Sequence, residues 1–167
     1  TEVAKPAPAE TPSLADAVNR RTQIVEAVLS GDRTSSDAVE GLKSLASPSG
    51  LKIDGDADFA LAALDVGRRL LALRRPTDAE TFFRAADQSL SLVIDRTADT
   101  AVREKSQYLQ VRATIRANYL NKSAEARADF DAALKLVPDD QRLQQMRRLI
   151  PADPATTIQN HKELPTR

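Results

Sequence analysis

The chain contains one pattern of small and aromatic residues twice, and this repetition restricts the possible folds more than any other feature. The pattern occurs at Ala79, Phe83 and Ala86 and, 47 residues later, at Ala126, Phe130 and Ala133. Each copy follows a segment with small and apolar residues at helical spacing, which predicts two helical hairpins, at 63–86 and 110–138. One hairpin cannot bury its apolar face alone, so the copies must stack, and such a stack offers a concave surface to a partner.

Composition favours helices and argues against several classes of protein. Gly occurs five times in 167 residues and aromatic residues make up 4%, so we expect a core of alanine and leucine. Lys plus Arg and Asp plus Glu are both 24, and this balance argues against a nucleic-acid-binding protein. No apolar run approaches the roughly 20 residues that a membrane span requires. Cysteine is absent, which excludes disulfides and cysteine-based zinc sites.

The two ends of the chain differ in composition from its middle. Segment 1–12 is rich in Ala and Pro, so we expect it to be extended. It resembles the spacer that remains after a signal peptide has been removed, which predicts a bacterial periplasmic or secreted protein, with a cytoplasmic location as the alternative. Segment 151–167 has three prolines and little periodicity, which predicts a tail. The folded domain is therefore expected at 13–150.

Seven helices are predicted in that domain. Periodic apolar positions place them at 12–29, 37–46, 58–73, 77–94, 100–120, 124–136 and 140–149. The segment 47–57, with a proline and two glycines, is predicted to be a loop, and Pro138 ends the sixth helix. The last helix has Leu143, Met146 and Ile150 on one side and charges on the other, which is typical of the cap of a repeat array.

Residues from about 58 to 138 resemble the tetratricopeptide repeat, a helix-turn-helix unit of typically about 34 residues. The matching residues of the first copy are Ala63, Val66, Gly67, Leu70, Ala79, Phe83 and Ala86. In the second copy Gln110 and Thr114 replace an apolar residue and the glycine. The resemblance implies an all-α fold of antiparallel hairpins, stacked as a short right-handed solenoid of about six helices plus a C-terminal capping helix.

The match is irregular. A third hairpin at 20–46 fits the same frame. The matching small residues of successive hairpins are 41 and then 47 residues apart, because the helices between the copies are longer than in the family. The alternative is an ordinary antiparallel helical bundle, in which the repeated alanines and phenylalanines are simply core residues.

The family places the first helix of each hairpin on the concave face, so the resemblance implies which side chains would line a groove. They are Arg20, Gln23, Leu64, Arg68, Leu71, Tyr108, Arg112, Ile115 and Tyr119. Such a groove would be mainly apolar, with two tyrosines and a few arginines, which are side chains that anchor protein interfaces. The alternative is that Leu64, Tyr108 and Ile115 close the core.

Few residues suggest chemistry. Asp54, Asp56 and Asp58 alternate as in a calcium loop, but Phe59 occupies the position where the sharp turn of such a loop needs glycine. The only histidine, His161, lies in the predicted tail, away from any serine or carboxylate pattern. We therefore predict a non-enzymatic protein with no metal and no cofactor.

The predicted function is protein–protein interaction or scaffolding. The chain is expected to act as an accessory or assembly subunit of a larger complex, binding protein partners through its groove and its tails. It is expected to bind no nucleic acid, and to approach a membrane only through a partner. The alternative is a solute- or polymer-binding accessory domain of an exported enzyme system, which a deep pocket enclosed by Leu64, Arg68, Tyr108 and Arg112 would favour.

Overall fold

The computed structural model describes residues 14–45 and 55–150. The extended segment predicted at 1–12 and the tail predicted at 151–167, with His161, lie outside the described residues, as does most of the predicted loop. Every regular element in the described ranges is a helix, so the all-α prediction is confirmed there.

Seven helices make up the described part of the chain. They are α1 (Leu14–Ser30), α2 (Ser35–Leu45), α3 (Gly55–Ala72), α4 (Pro76–Arg96), α5 (Val102–Asn118), α6 (Ser123–Leu136) and α7 (Gln141–Leu149). Consecutive helices pack as the pairs α1–α2, α3–α4 and α5–α6, while α4 also packs on α5 and α7 on α6. α3 begins three residues earlier than predicted, and Asp56 in its first turn pairs with Arg96 of α4 at 2.6 Å.

The two hairpins that carry the sequence pattern also share their turn geometry. Arg74 and Asn121, 47 residues apart like the phenylalanines, are the two non-glycine residues with left-handed backbone in the described ranges, with φ of 58° and 54°. The matching alanines and phenylalanines of α4 and α6 are all at most 2% exposed. The repetition in sequence is therefore a repetition of backbone turn and buried side chains.

Gly67 allows the closest packing inside the first of these hairpins. A Cβ atom on Gly67 would lie 2.6 Å from Cε1 of Phe83 and 2.9 Å from its Cζ. The phenylalanine ring also stacks on Tyr119, with 4.1 Å between the ring centroids and an interplanar angle of 11°. Because Phe83 is fixed from two directions, glycine is the residue that fits on α3.

The second hairpin packs less tightly at the equivalent position. Thr114 occupies the place of Gly67, and its hydroxyl donates to the carbonyl oxygen of Gln110 at 2.8 Å. Thr114 and Phe130 border a half-open cavity of about 220 Å³, which Met146 of α7 and the following Ile150 also line. A side chain in place of the glycine thus accompanies a cavity beside the phenylalanine position that the two hairpins share.

A cluster of polar groups joins the α1–α2 pair to the α3–α4 hairpin. The Arg75 guanidinium donates to the carbonyl oxygens of Val28 and Leu29 at 2.6 and 3.2 Å, which satisfies the end of α1. Arg75 also pairs with Asp78 at 2.7 Å, and Asp78 accepts the hydroxyl of Ser35, the first residue of α2, at 2.6 Å. These bonds hold the α3–α4 turn against the end of α1 and the start of α2.

This cluster predicts an acid-sensitive step in stability. The hydrogen bond from Ser35, and after it the one from Arg75, lowers the pKa of Asp78 below its usual value of about 3.9. A lowered folded-state pKa means that the stabilisation is fully present above the unfolded-state pKa and is lost as the pH falls through the folded-state pKa. We expect Asp78→Asn to cost on the order of 1 kcal/mol at pH 7, because the carboxylate is partly solvated and only its charge is removed.

Urea unfolding of the wild type and of Asp78→Asn between pH 7 and pH 2.5 tests this step. The difference in unfolding free energy between the two proteins should shrink below about pH 4. Asp37→Asn on α2 is the control, because Asp37 is exposed. If the difference in unfolding free energy between the wild type and Asp78→Asn stayed constant down to pH 2.5, the charge of Asp78 would not stabilise the contact of the α3–α4 turn with α1 and α2.

Candidate functional site

The exposed side of α3 carries two leucines. Leu61 is 53% exposed and Leu71 is 38% exposed, although both stand on a helix whose other side is buried. Asp65 and Arg68 are exposed between them. We call these four residues, Leu61, Asp65, Arg68 and Leu71, the α3 face.

Tyr119 fixes one edge of the α3 face. Its hydroxyl accepts a hydrogen bond from Nε of Arg68 at 3.1 Å, and the guanidinium carbon lies 5.9 Å from the centre of the ring. The same ring stacks on the buried Phe83. Arg68 is thereby oriented by a ring that is itself held by the core, and it retains further N–H groups that can donate to a ligand.

The nine residues predicted to line a groove do not form one surface. Arg68, Leu71 and Tyr119 belong to the α3 face or border it. Arg20 and Gln23 are exposed on α1 and border a separate cleft between α1 and α2. The structure brings these five residues to two places rather than one.

The remaining four predicted residues are buried or partly buried, although they were expected to line the groove. Leu64 is 7% exposed and Ile115 is fully buried, so both close the core, as the alternative held. Tyr108 is partly buried, and its hydroxyl donates to Glu104 at 2.8 Å. The prediction that Arg112 points into a groove is corrected, because its side chain is 13% exposed and ion-paired between helices.

Arg112 belongs to a buried ionic network that the sequence reasoning missed. Its guanidinium binds both carboxylate oxygens of Asp129, at 3.0 and 2.6 Å, and donates to the hydroxyl of Ser91 at 3.0 Å. Arg116 pairs with the same carboxylate at 3.0 Å and with Asp87 of α4 at 2.6 Å. These charges lock α4, α5 and α6 together.

The network leaves no buried group unsatisfied. Nζ of Lys122 pairs with Oδ2 of Asp87 at 3.3 Å. Throughout the described ranges, no buried side-chain nitrogen or oxygen lacks a hydrogen-bond partner. Such complete pairing compensates the free-energy cost of desolvating the ions. Arg112 and Arg116 therefore have a structural role.

A sequence signal for this network does exist. Asp129 lies 47 residues after Phe82, which is fully buried, so a carboxylate occupies a position that the first hairpin fills with a ring. A carboxylate predicted to be buried requires cations, and Arg112 and Arg116 stand at i and i+4 on the helix that packs against it. Comparing the copies position by position would have found the network.

No metal centre is formed by the described residues: nowhere in 14–45 or 55–150 do three His, Asp or Glu side chains converge as ligands. In the same ranges no helix combines the length and the apolar character needed to cross a bilayer. Comparisons of the chain with protein-family models, with curated proteins and with solved structures find no match. The function of the chain is therefore inferred from the geometry of its surface.

Proposed function

We propose that the chain is a non-enzymatic protein–protein interaction domain, built as a short tetratricopeptide-like solenoid, which acts as an accessory or assembly subunit and binds a partner segment on the α3 face. Support for the solenoid comes from the two hairpins, which share a left-handed residue in the turn and the buried Ala-Phe-Ala positions. Support for binding comes from one observation above all: Leu61 is half exposed beside an arginine that a core-anchored tyrosine orients.

The chemistry of the α3 face suits a peptide with mixed character. Leu61 and Leu71 lie almost three turns apart on α3, so each can cover a different aliphatic side chain, while the free N–H groups of Arg68 can donate to a backbone carbonyl or a carboxylate. Tyr119 adds a rigid aromatic wall next to Arg68. Aromatic and arginine side chains next to apolar contacts are typical of the energetically dominant centre of an interface.

A matched pair of leucines makes the proposal testable. Leu61 on α3 and Leu92 on α4 are 53% and 54% exposed, and Leu92 lies on the other helix of the same hairpin. We expect a photo-crosslinking residue at position 61, introduced in cells of the native source, to give a discrete adduct with a partner. The same residue at position 92 should give none. Adducts of equal yield at both positions, or none at position 61, would contradict the proposal.

Substitutions at the same two sites give the quantitative test. With the crosslinked partner purified, Leu61→Asp should weaken its affinity at least about tenfold, because the apolar contact made by Leu61 is replaced by a charge. Leu92→Asp should leave the affinity unchanged. Both changes are at exposed positions and should alter the unfolding free energy by only about 0.5 kcal/mol, so unfolding does not account for a difference in binding.

A further inference from the structure

A second surface, separate from the α3 face, has the character of a small-molecule site. A cleft of about 480 Å³ lies between α1 and α2, and its walls include Arg20, Gln23, Ile24, Arg33, Gly41 and Leu45. The cleft is open to solvent along one side, and its volume lies within the range of about 300–1,000 Å³ that is typical of ligand pockets. One wall is aliphatic, and two guanidinium groups stand at the polar side.

The two guanidinium groups have no carboxylate. Most other partly buried arginines in the described residues have one: Arg21 pairs with Asp58, Arg75 with Asp78 and Arg147 with Asp131, at 3.0, 2.7 and 2.7 Å, while Arg127 on α6 is an exception. Arg33 is also partly buried, yet within the described part of the chain neither its side chain nor that of the exposed Arg20 makes a hydrogen bond or an ion pair. A partly desolvated cation without an anion gains from binding one, and Arg33 borders a cleft with room for a ligand.

Gly41 makes room for the arginine. A Cβ atom at this position of α2 would lie 3.0 Å from Nη2 of Arg33 and 3.0 Å from Cδ1 of Ile24. The absence of a side chain therefore lets the guanidinium of Arg33 and the aliphatic wall approach each other over the backbone of α2. Glycine inside a helix is normally unfavourable, so its use here needs a local reason.

We infer that the cleft between α1 and α2 binds a small aliphatic carboxylate, whose oxygens are held by Arg33 and Arg20 and whose hydrocarbon part packs on Ile24 and Leu45. Guanidinium groups bind carboxylates through two parallel hydrogen bonds, which fixes the orientation of the ligand. The amide of Gln23 offers a further donor at the rim.

The test uses 4-methylpentanoate as the probe and the full chain as the protein. Its binding is followed by nuclear magnetic resonance, through the Nε–Hε signals of Arg20 and Arg33 and the methyl signals of Leu45. We expect saturable shifts that give the same Kd at all three residues. The neutral 4-methylpentanamide should bind at least tenfold more weakly, because it lacks the charge.

Three variants separate the site from the fold. Arg33→Gln should weaken the binding of 4-methylpentanoate at least tenfold. Arg103 is an exposed arginine on α5, and Arg103→Gln should leave the Kd unchanged. Gly41→Ala should weaken the probe several-fold by crowding Arg33. It should keep or raise the unfolding temperature, because alanine favours helix and the crowded atoms end flexible side chains.

Several results would overturn the inference. They are shifts that do not saturate, an amide that binds as well as the acid, and an Arg33→Gln variant with the wild-type Kd. Inorganic phosphate that moves both arginine signals with an equal Kd, without the methyl signals of Leu45, would show a general anion site and would also overturn it. Because none of these residues belongs to the α3 face, the proposed function stands or falls independently.

Discussion

Asp129→Asn is expected to be among the most damaging single substitutions in this protein, costing about 3–5 kcal/mol of unfolding free energy. The Asp129 carboxylate is 6% exposed and accepts hydrogen bonds from both Arg112 and Arg116, which are themselves 13% and 15% exposed. Removing its charge leaves two buried guanidinium groups with Asp87 as their only nearby carboxylate in the described network. Urea denaturation followed by circular dichroism measures the loss.

Asp131→Asn is the matched control, two residues further along α6. Asp131 also pairs with an arginine, Arg147 at 2.7 Å, but its side chain is 50% exposed. Exposed ion pairs contribute about 0–1 kcal/mol, so this variant should stay close to the wild type. If the two substitutions proved equally costly, or equally harmless, burial would not be what makes the network important.

Phe83→Ala is the second large effect, with an expected cost of about 3–5 kcal/mol. The ring is 2% exposed and packs between Gly67 and Tyr119, so its removal opens a cavity and also ends the stacking that orients Tyr119. Thermal and urea unfolding measure the cost.

Combining this change with Gly67→Ala tests whether the effect of Gly67→Ala on the unfolding free energy changes sign when the ring of Phe83 is absent. In the wild-type background Gly67→Ala should destabilise by about 1–3 kcal/mol, because the new methyl group overlaps the phenylalanine ring. In the Phe83→Ala background the ring is absent, and the same change should instead stabilise by about 1 kcal/mol through helix propensity. A Gly67→Ala effect of the same sign in both backgrounds would refute the packing described for this hairpin.

The sequence was sufficient to predict the helices. Helical periodicity placed seven helices close to their observed bounds, whereas the contact between Gly67 and the ring of Phe83 is known only from the structure. The helices are local features. Where a helix has a clear apolar side, periodicity identifies that side without reference to distant parts of the chain, but α5 has almost no such asymmetry.

The candidate site was harder to predict because it depends on which neighbour each helix side meets. The assignment of Ile115 and Arg112 to a groove followed from their position on α5, but α4 and α6 cover both side chains. Arginine on a helix surface is usually solvated, and only the carboxylate of Asp129 on another helix makes its burial favourable. The contacts between α4, α5 and α6 determine that Ile115 and Arg112 are buried, and the spacing of residues within α5 alone does not predict those contacts.

The stacking of Tyr119 on Phe83 also has a spectroscopic consequence. The chain has no tryptophan and only two tyrosines, so tyrosine dominates its intrinsic ultraviolet emission. Tyr119 sits against a core ring on one side and hydrogen-bonds Arg68 of the α3 face through its hydroxyl. A ligand that engages Arg68 therefore changes the surroundings of a natural fluorophore, and occupancy of the face can be followed without a label.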